Sequence, residues 1–134
     1  MRMKIAILGT LAYTLATFPL AVLWHVVLFE SRYQAFGYFD GEPSFALGFL
    51  SIVVQGLVMS LLFPLLQLTG NEIARGLKFA ALMGVFLWTS HVIALMAKQT
   101  IVNPGGFLVM ESAYLALQFV VFGLLIGMIQ KKFG

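Results

Sequence analysis

The sequence predicts an all-α integral membrane protein: a four-helix up-down-up-down bundle with both termini in the cytoplasm. Three observations predict it. Four uncharged apolar runs, Ile5–Phe29, Ser44–Gly70, Phe79–Ala97 and Ser112–Gln130, fill most of the 134 residues. Hydrophobic residues make up 61% of the chain and charged residues only 10%, a surface that water would not tolerate on a domain of this size. The basic residues collect at one end of the runs. About 20 apolar residues cross the hydrocarbon core as a helix. The backbone in lipid must satisfy its own hydrogen bonds, and no strand alternation is present, so the runs are helices. The chain reads as one transmembrane domain over residues 1–134, with spans at 5–29, 44–69, 77–98 and 107–130.

The first span follows Met-Arg-Met-Lys and runs unbroken to Phe29. That is longer than the core of a secretory signal, so it is read as a retained anchor. The next segment, Glu30 to Pro43, carries Tyr33, Phe36, Tyr38 and Phe39. Tyrosines favour the membrane interface, which predicts a short interfacial helix on the outer surface before the Gly41-Glu42-Pro43 turn. Pro43 and Ser44 suit the start of the second helix, and Pro64 kinks it near its inner end. Thr69-Gly70-Asn71 stops it. Glu72 to Lys78 reads as a short inner connection in which Glu72 and Arg75 pair. Asn103-Pro104-Gly105-Gly106 reads as an outer turn, after which the fourth helix returns to Lys131 and Lys132. Short connections place successive helices side by side and antiparallel. Gly123 and Gly127 form a GxxxG pair for close helix approach, within the chain or in a homo-oligomer.

Arg2, Lys4, Arg75, Lys78, Lys131 and Lys132 lie on one side of the predicted spans, against Arg32 and Lys98 on the other. The positive-inside rule then puts both termini in the cytoplasm and the protein in the cell inner membrane. The net charge of +3 is scattered and is no nucleic-acid signature, so the bilayer is the primary partner. There is no cysteine, which excludes disulfides, thiolate metal sites and c-type haem attachment. No Ser-His-Asp set, phosphate loop or nucleotide motif is present. No nucleophile constellation supports an enzyme acting on lipids or quinones.

Each helix carries one polar stripe. In the first, Thr10, Thr14, Thr17, Ala21 and His25 share a face. The second offers Gly48, Ser51 and Gln55. The third has Gly84, His91 and Lys98 at heptad spacing, with Trp88 one turn before His91. The fourth has Glu111, Tyr114 and Gln118. Small and polar residues face protein, and bulky apolar ones face lipid. At 1.5 Å per residue, His25 lies roughly 6 Å from the outer end, Glu111 roughly 7 Å, His91 and Ser51 roughly 10 Å and Gln55 roughly 16 Å. The stripes therefore predict a polar pocket in the outer half. His25, His91 and Glu111 form its core, with Ser51, Gln55, Trp88 and Tyr114 lining it.

Three readings of this pocket are open. It binds a transition metal ion (zinc, iron or copper) or haem b, with His25 and His91 as ligands and Glu111 as a third ligand or an orienting acceptor. It serves a small proton-coupled carrier, with Glu111 and a histidine as the titrating pair. Or it fixes helix register in an accessory subunit of a larger membrane complex. The first is the leading expectation. The methionines Met59, Met83, Met96 and Met110 read as core filler, and Lys98 as a snorkelling side chain.

Leu23-Trp24-His25 with Tyr33, Gly76-Leu77-Lys78-Phe79 and Ser90-His91 resemble small bacterial inner-membrane proteins of the domain-of-unknown-function kind. In these a histidine ends the first span and a glycine-rich third span follows a basic turn. The resemblance covers most of the chain and implies a four-span inner-membrane fold. It implies no activity and transfers no functional residue.

Overall fold

Each apolar run becomes a helix whose ends are set by local chemistry. In the computed structural model, which describes residues 1–134, no strand is present. Four helices are long and apolar enough to cross a membrane: α1 (Arg2–Leu28), α3 (Phe45–Leu65), α4 (Glu72–Lys98) and α5 (Pro104–Phe133). A short helix, α2 (Glu30–Phe36), lies between the first two. By length and composition this is a multi-pass membrane protein.

Three boundaries differ from the sequence reading, each through a cap or a proline. Helix α3 ends in a tight turn at Phe63–Leu65 rather than at residue 69, because Pro64 has no N–H to continue the ladder. Helix α4 begins at Glu72 rather than at residue 77. The Asn71 side chain accepts the Ala74 N–H at 2.9 Å, so the inner connection expected over Glu72 to Lys78 is the helix's own first turns. Glu72 and Arg75 do pair there, at 2.8 Å. Helix α5 begins at Pro104 rather than at residue 107. Asn103, at φ 53°, accepts the Gly106 N–H at 3.2 Å, and proline suits a first helical position. The Asn-Pro-Gly-Gly segment is thus a helix start.

The short helix expected after the first span is present as α2, and it turns its aromatics inward: Tyr33 is fully buried and Phe36 nearly so. Both aromatic rings turn toward the protein. Gly37, in the left-handed region at φ 74°, ends the helix. The backbone then holds to the α4–α5 connection: Val102 N–H bonds Phe36 O at 2.9 Å, and Gln99 Nε2 bonds Gly37 O at 2.9 Å.

Helix α1 packs against both α3 and α5, and α4 packs against α5, whereas α3 and α4 scarcely touch. The order across the molecule is therefore α3, α1, α5, α4. On the α1–α3 contact, Gly9 meets Ser60, Gly56 meets Tyr13, and Phe18 meets Phe49 edge-on. The α4–α5 contact is backbone on backbone. A Cβ at Gly76 would strike Gly123 O, and one at Gly127 would lie 2.8 Å from Glu72 O. The GxxxG pair of α5 is spent inside the chain, on α4. Near the termini the interior is mostly apolar, the buried Ser60 hydroxyl excepted. Met59, Phe63, Phe79, Phe122 and Ile126 are all buried, with Phe63 and Phe79 ring centroids 5.2 Å apart.

Gly76→Val is expected to force α4 and α5 apart and to destabilise the protein by about 1–3 kcal/mol or more. Gly105→Ala, where a Cβ meets nothing within 4 Å, is the control. Unfolding in mild detergent reads both, and equal stability of the two variants would reject the close-contact account.

Candidate functional site

Glu111 lies two turns into α5 with no exposed surface. An ionisable acid inside an apolar helix must be met by partners. Two imidazoles meet it. His25 Nε2 lies 3.0 Å from both Glu111 carboxylate oxygens, and His91 Nε2 lies 2.8 Å from Oε1. The three side chains come from α1, α4 and α5, far apart in sequence, as the polar stripes predict.

Both histidines sit in π-helical turns. Leu23–Leu28 of α1 and Thr89–Ile93 of α4 are wound this way, and they are the only π segments in the chain. A π turn adds a residue to the turn and shifts the register of the residues beyond it. In α1 the bond from Phe29 N–H to Trp24 O, at 3.1 Å, closes the wide turn. Each π turn stands at the level where its imidazole meets the carboxylate. The register shift cancels the heptad reading of Gly84, His91 and Lys98, which assumes an undisturbed α-helix.

The hydrogen bonds fix the proton inventory. His25 Nδ1 lies 2.9 Å from the Ala21 carbonyl, which can only accept, so Nδ1 carries a proton. The Nε2 contact to Glu111 then needs a second proton, on the imidazole or on the carboxyl group. Either placement leaves the His25–Glu111 pair without net charge, which removes most of the cost of burying it. His91 differs. Its side chain is 39% exposed, against 9% for His25 and 0% for Glu111. Its Nε2 also lies 3.3 Å from the Tyr38 hydroxyl, and its Nδ1 makes no hydrogen bond within the protein.

An aromatic roof covers the cluster. The Tyr33 ring centroid lies 4.5 Å from that of His25, and Tyr38 stacks on the same imidazole at 5.5 Å. Trp24 Nε1 donates to the Tyr33 hydroxyl at 2.8 Å. Sequence reasoning missed Tyr33 and Tyr38 as site residues. The signal is present in the run of aromatics directly after His25, but such a run suits a membrane interface equally well.

Beside the cluster lies a cavity of about 300 Å³. His25, His91 and Tyr38 border one end, and Thr17, Gln55 and Gln118 the other. Gln118 Nε2 donates to the Tyr13 hydroxyl at 2.8 Å, which in turn donates to Gln55 Oε1 at 2.9 Å. The remaining predicted residues divide. Tyr114 borders the cavity and meets His25 edge-on at 4.5 Å. Ser51 is exposed at the rim, its hydroxyl bonded to Gly48 O at 2.8 Å. Trp88 is not in this cavity. Its indole N–H bonds Ser112 Oγ at 2.9 Å on another face of α4.

Two imidazoles and a carboxylate are a chemically apt donor set for a transition metal. However, the side chains form a hydrogen-bonded row with the carboxylate in the middle, and no group of three donors is arranged to hold an ion. The carboxylate bonds both Nε2 atoms, so haem iron between the imidazoles would need Glu111 to leave. Compared with known proteins, the chain matches no family model, no curated protein and no solved structure.

Burial raises the Tyr33 hydroxyl pKa well above its ordinary value, and the Glu111 carboxylate adds to the rise. Burial, with the same carboxylate, raises Tyr38 likewise. The folded state thus holds these protons longer than the unfolded chain does. Stability from Tyr33 is complete below about pH 10 and falls above it by about 1.4 kcal/mol per pH unit. Unfolding in detergent across the alkaline range is expected to show that decline, shallower in Tyr33→Phe. An identical alkaline slope in that variant would reject the assignment.

Proposed function

We propose that the protein binds a small ligand in the cavity and exchanges a proton with it through His91, Glu111 and His25. The observation that carries this reading is the proton inventory. His25 presents both ring nitrogens to acceptors, so the buried cluster stores a proton that can sit on either partner. His91 is the half-exposed member facing the cavity, so a proton taken up or released there is matched by a shift inside the row. Histidine is the usual side chain for reversible proton exchange at physiological pH, and a carboxylate is a common partner in such exchange. Ionisable groups at membrane depth most often mark such a role.

The reading includes an inner-membrane location, an up-down-up-down course and cytoplasmic termini. The bias of basic residues supports the orientation. The helix contacts support the course. Lys4 lies over the Phe133 ring at 4.3 Å, Tyr13 meets Phe122 at 4.9 Å, and His25 meets Glu111, a sequence of pairs that antiparallel helices produce.

Nitrogen-15 NMR of histidine-labelled protein in lipid tests the proposal. His25 is expected to show a proton on Nδ1 and a shared proton at Nε2 across neutral pH, and Glu111→Gln is expected to abolish the second. A His25 ring with a bare, unshared Nε2 would overturn it. A second reading, a bound transition metal, is favoured by one feature: His25 Nδ1 is tied to a backbone carbonyl, as in most metal-ligating histidines. Under that reading purified protein carries stoichiometric metal that His25→Ala removes. Elemental analysis that finds no metal in protein purified without chelator would reject it.

A further inference from the structure

The cavity's walls and mouth identify the kind of ligand, an inference that rests on the proton-exchange reading above. The mouth lies where α3 and α4 fail to meet. Ser51 of α3 and Ser90 of α4 both border the cavity and are both exposed. Each hydroxyl is turned back on its own helix, to Gly48 O at 2.8 Å and Leu87 O at 3.1 Å. That is how serine is accommodated against lipid. Ser51 stands six residues inside α3, roughly 9 Å along the helix, so the opening faces the acyl chains rather than water. Above it Tyr38 and Phe39 close the cavity, and the buried aromatics near the termini close the far end.

The interior has no lysine, arginine or aspartate, and the His25–Glu111 pair has no net charge to offer. An anionic or zwitterionic headgroup would find no counter-charge. Instead there are hydrogen-bond donors at both ends. His91 and Tyr38 stand at one. At the other is Gln118, which is 7% exposed and commits one of its two N–H donors to Tyr13. Glu111 and Gln118 are seven residues apart on α5, roughly 10 Å. Aromatic side chains line the space between. A flat ring with an acceptor at each end fits this arrangement.

We propose that the cavity takes the ring head of a neutral, membrane-dissolved lipid of the quinone class, entering from the bilayer between α3 and α4. One carbonyl accepts from His91 and the other from the Gln118 end, with the ring against aromatic walls and the tail in the lipid. Only binding is assigned.

The test uses the full chain in lipid nanodiscs with decylubiquinone, measured as binding in excess of protein-free discs. Saturable binding of one quinone per chain is expected. Gly48→Leu is expected to weaken it at least tenfold, because a Cβ at Gly48 meets nothing within 4 Å and the side chain occupies the mouth without disturbing packing. Ser90→Phe blocks the same mouth from α4. Tail-less benzoquinone supplied from water is expected to bind at least tenfold more weakly. No saturable excess, undiminished binding in both blocked variants, or equal binding of the tail-less ring would overturn the proposal. The histidine NMR on the same ligand-free sample separates the two claims. A shared proton without quinone binding sinks this inference alone, and its absence sinks the reading beneath it.

Discussion

A carboxylate with no exposed surface, set in an otherwise apolar helix, is the constraint on which the rest of the structure depends. Glu111 is tolerable only if its oxygens are met from several sides. Meeting it takes side chains from two other helices, His25 from α1 and His91 from α4. Each helix carries a π turn at that level, a feature frequent at functional sites. Helix α2 then folds over the result, burying Tyr33 against His25. The Trp24 indole bonds the Tyr33 hydroxyl, and the roof is anchored through Gln99 and Val102. Wound turns, roof and anchors answer one demand for charge neutrality in a medium without water.

The packing around this centre is uneven, and the unevenness produces the cavity. Glycines at positions 76, 123 and 127 let α4 and α5 approach to backbone contact. Helix α1 fills its two interfaces with Tyr13, Phe18 and small residues. With α4 drawn tightly onto α5, it reaches α3 only where Phe63 meets Phe79. Four helices in a row leave a furrow between the outermost two. Here Gln55, Gln118 and the histidine cluster share the lining of that furrow with apolar side chains.

Much of this is legible as periodicity. The stripes on α1, α4 and α5 are enough to bring His25, His91 and Glu111 together, because small or polar residues recur at helical spacing on otherwise apolar helices. What escapes is whatever departs from regular geometry or depends on tertiary partners. A π turn has no compositional mark, so regular spacing carries Trp88 into the pocket with His91, whereas it bonds Ser112 elsewhere. Tyr33 and Tyr38 carry the same residue type whether they lie at a membrane interface or roof a buried site. Only the neighbouring carboxylate decides, and it comes from the last helix of the chain. Asn103-Pro104-Gly105-Gly106 reads equally as a turn or as a capped helix start until the Asn103 side chain is seen to accept the Gly106 N–H.

The two histidines look interchangeable in the sequence, yet the structure gives them different surroundings. His25 has every nitrogen committed and almost no exposure. Its Nε2 faces Glu111 and its Nδ1 the Ala21 carbonyl. His91 shares the carboxylate but keeps Nδ1 free and more than a third of its side chain exposed. In the proposed exchange His91 is therefore the member that meets a proton from the cavity, with Glu111 and His25 behind it. Toward the termini Phe63, Phe79, Phe122 and Ile126 fill most of the interior, and the buried hydroxyls of Thr14 and Ser60 make no hydrogen bond to the cluster. The cluster thus has one exposed member beside the cavity and one buried member behind it, an asymmetry that suits the proposed exchange with an occupant of the cavity.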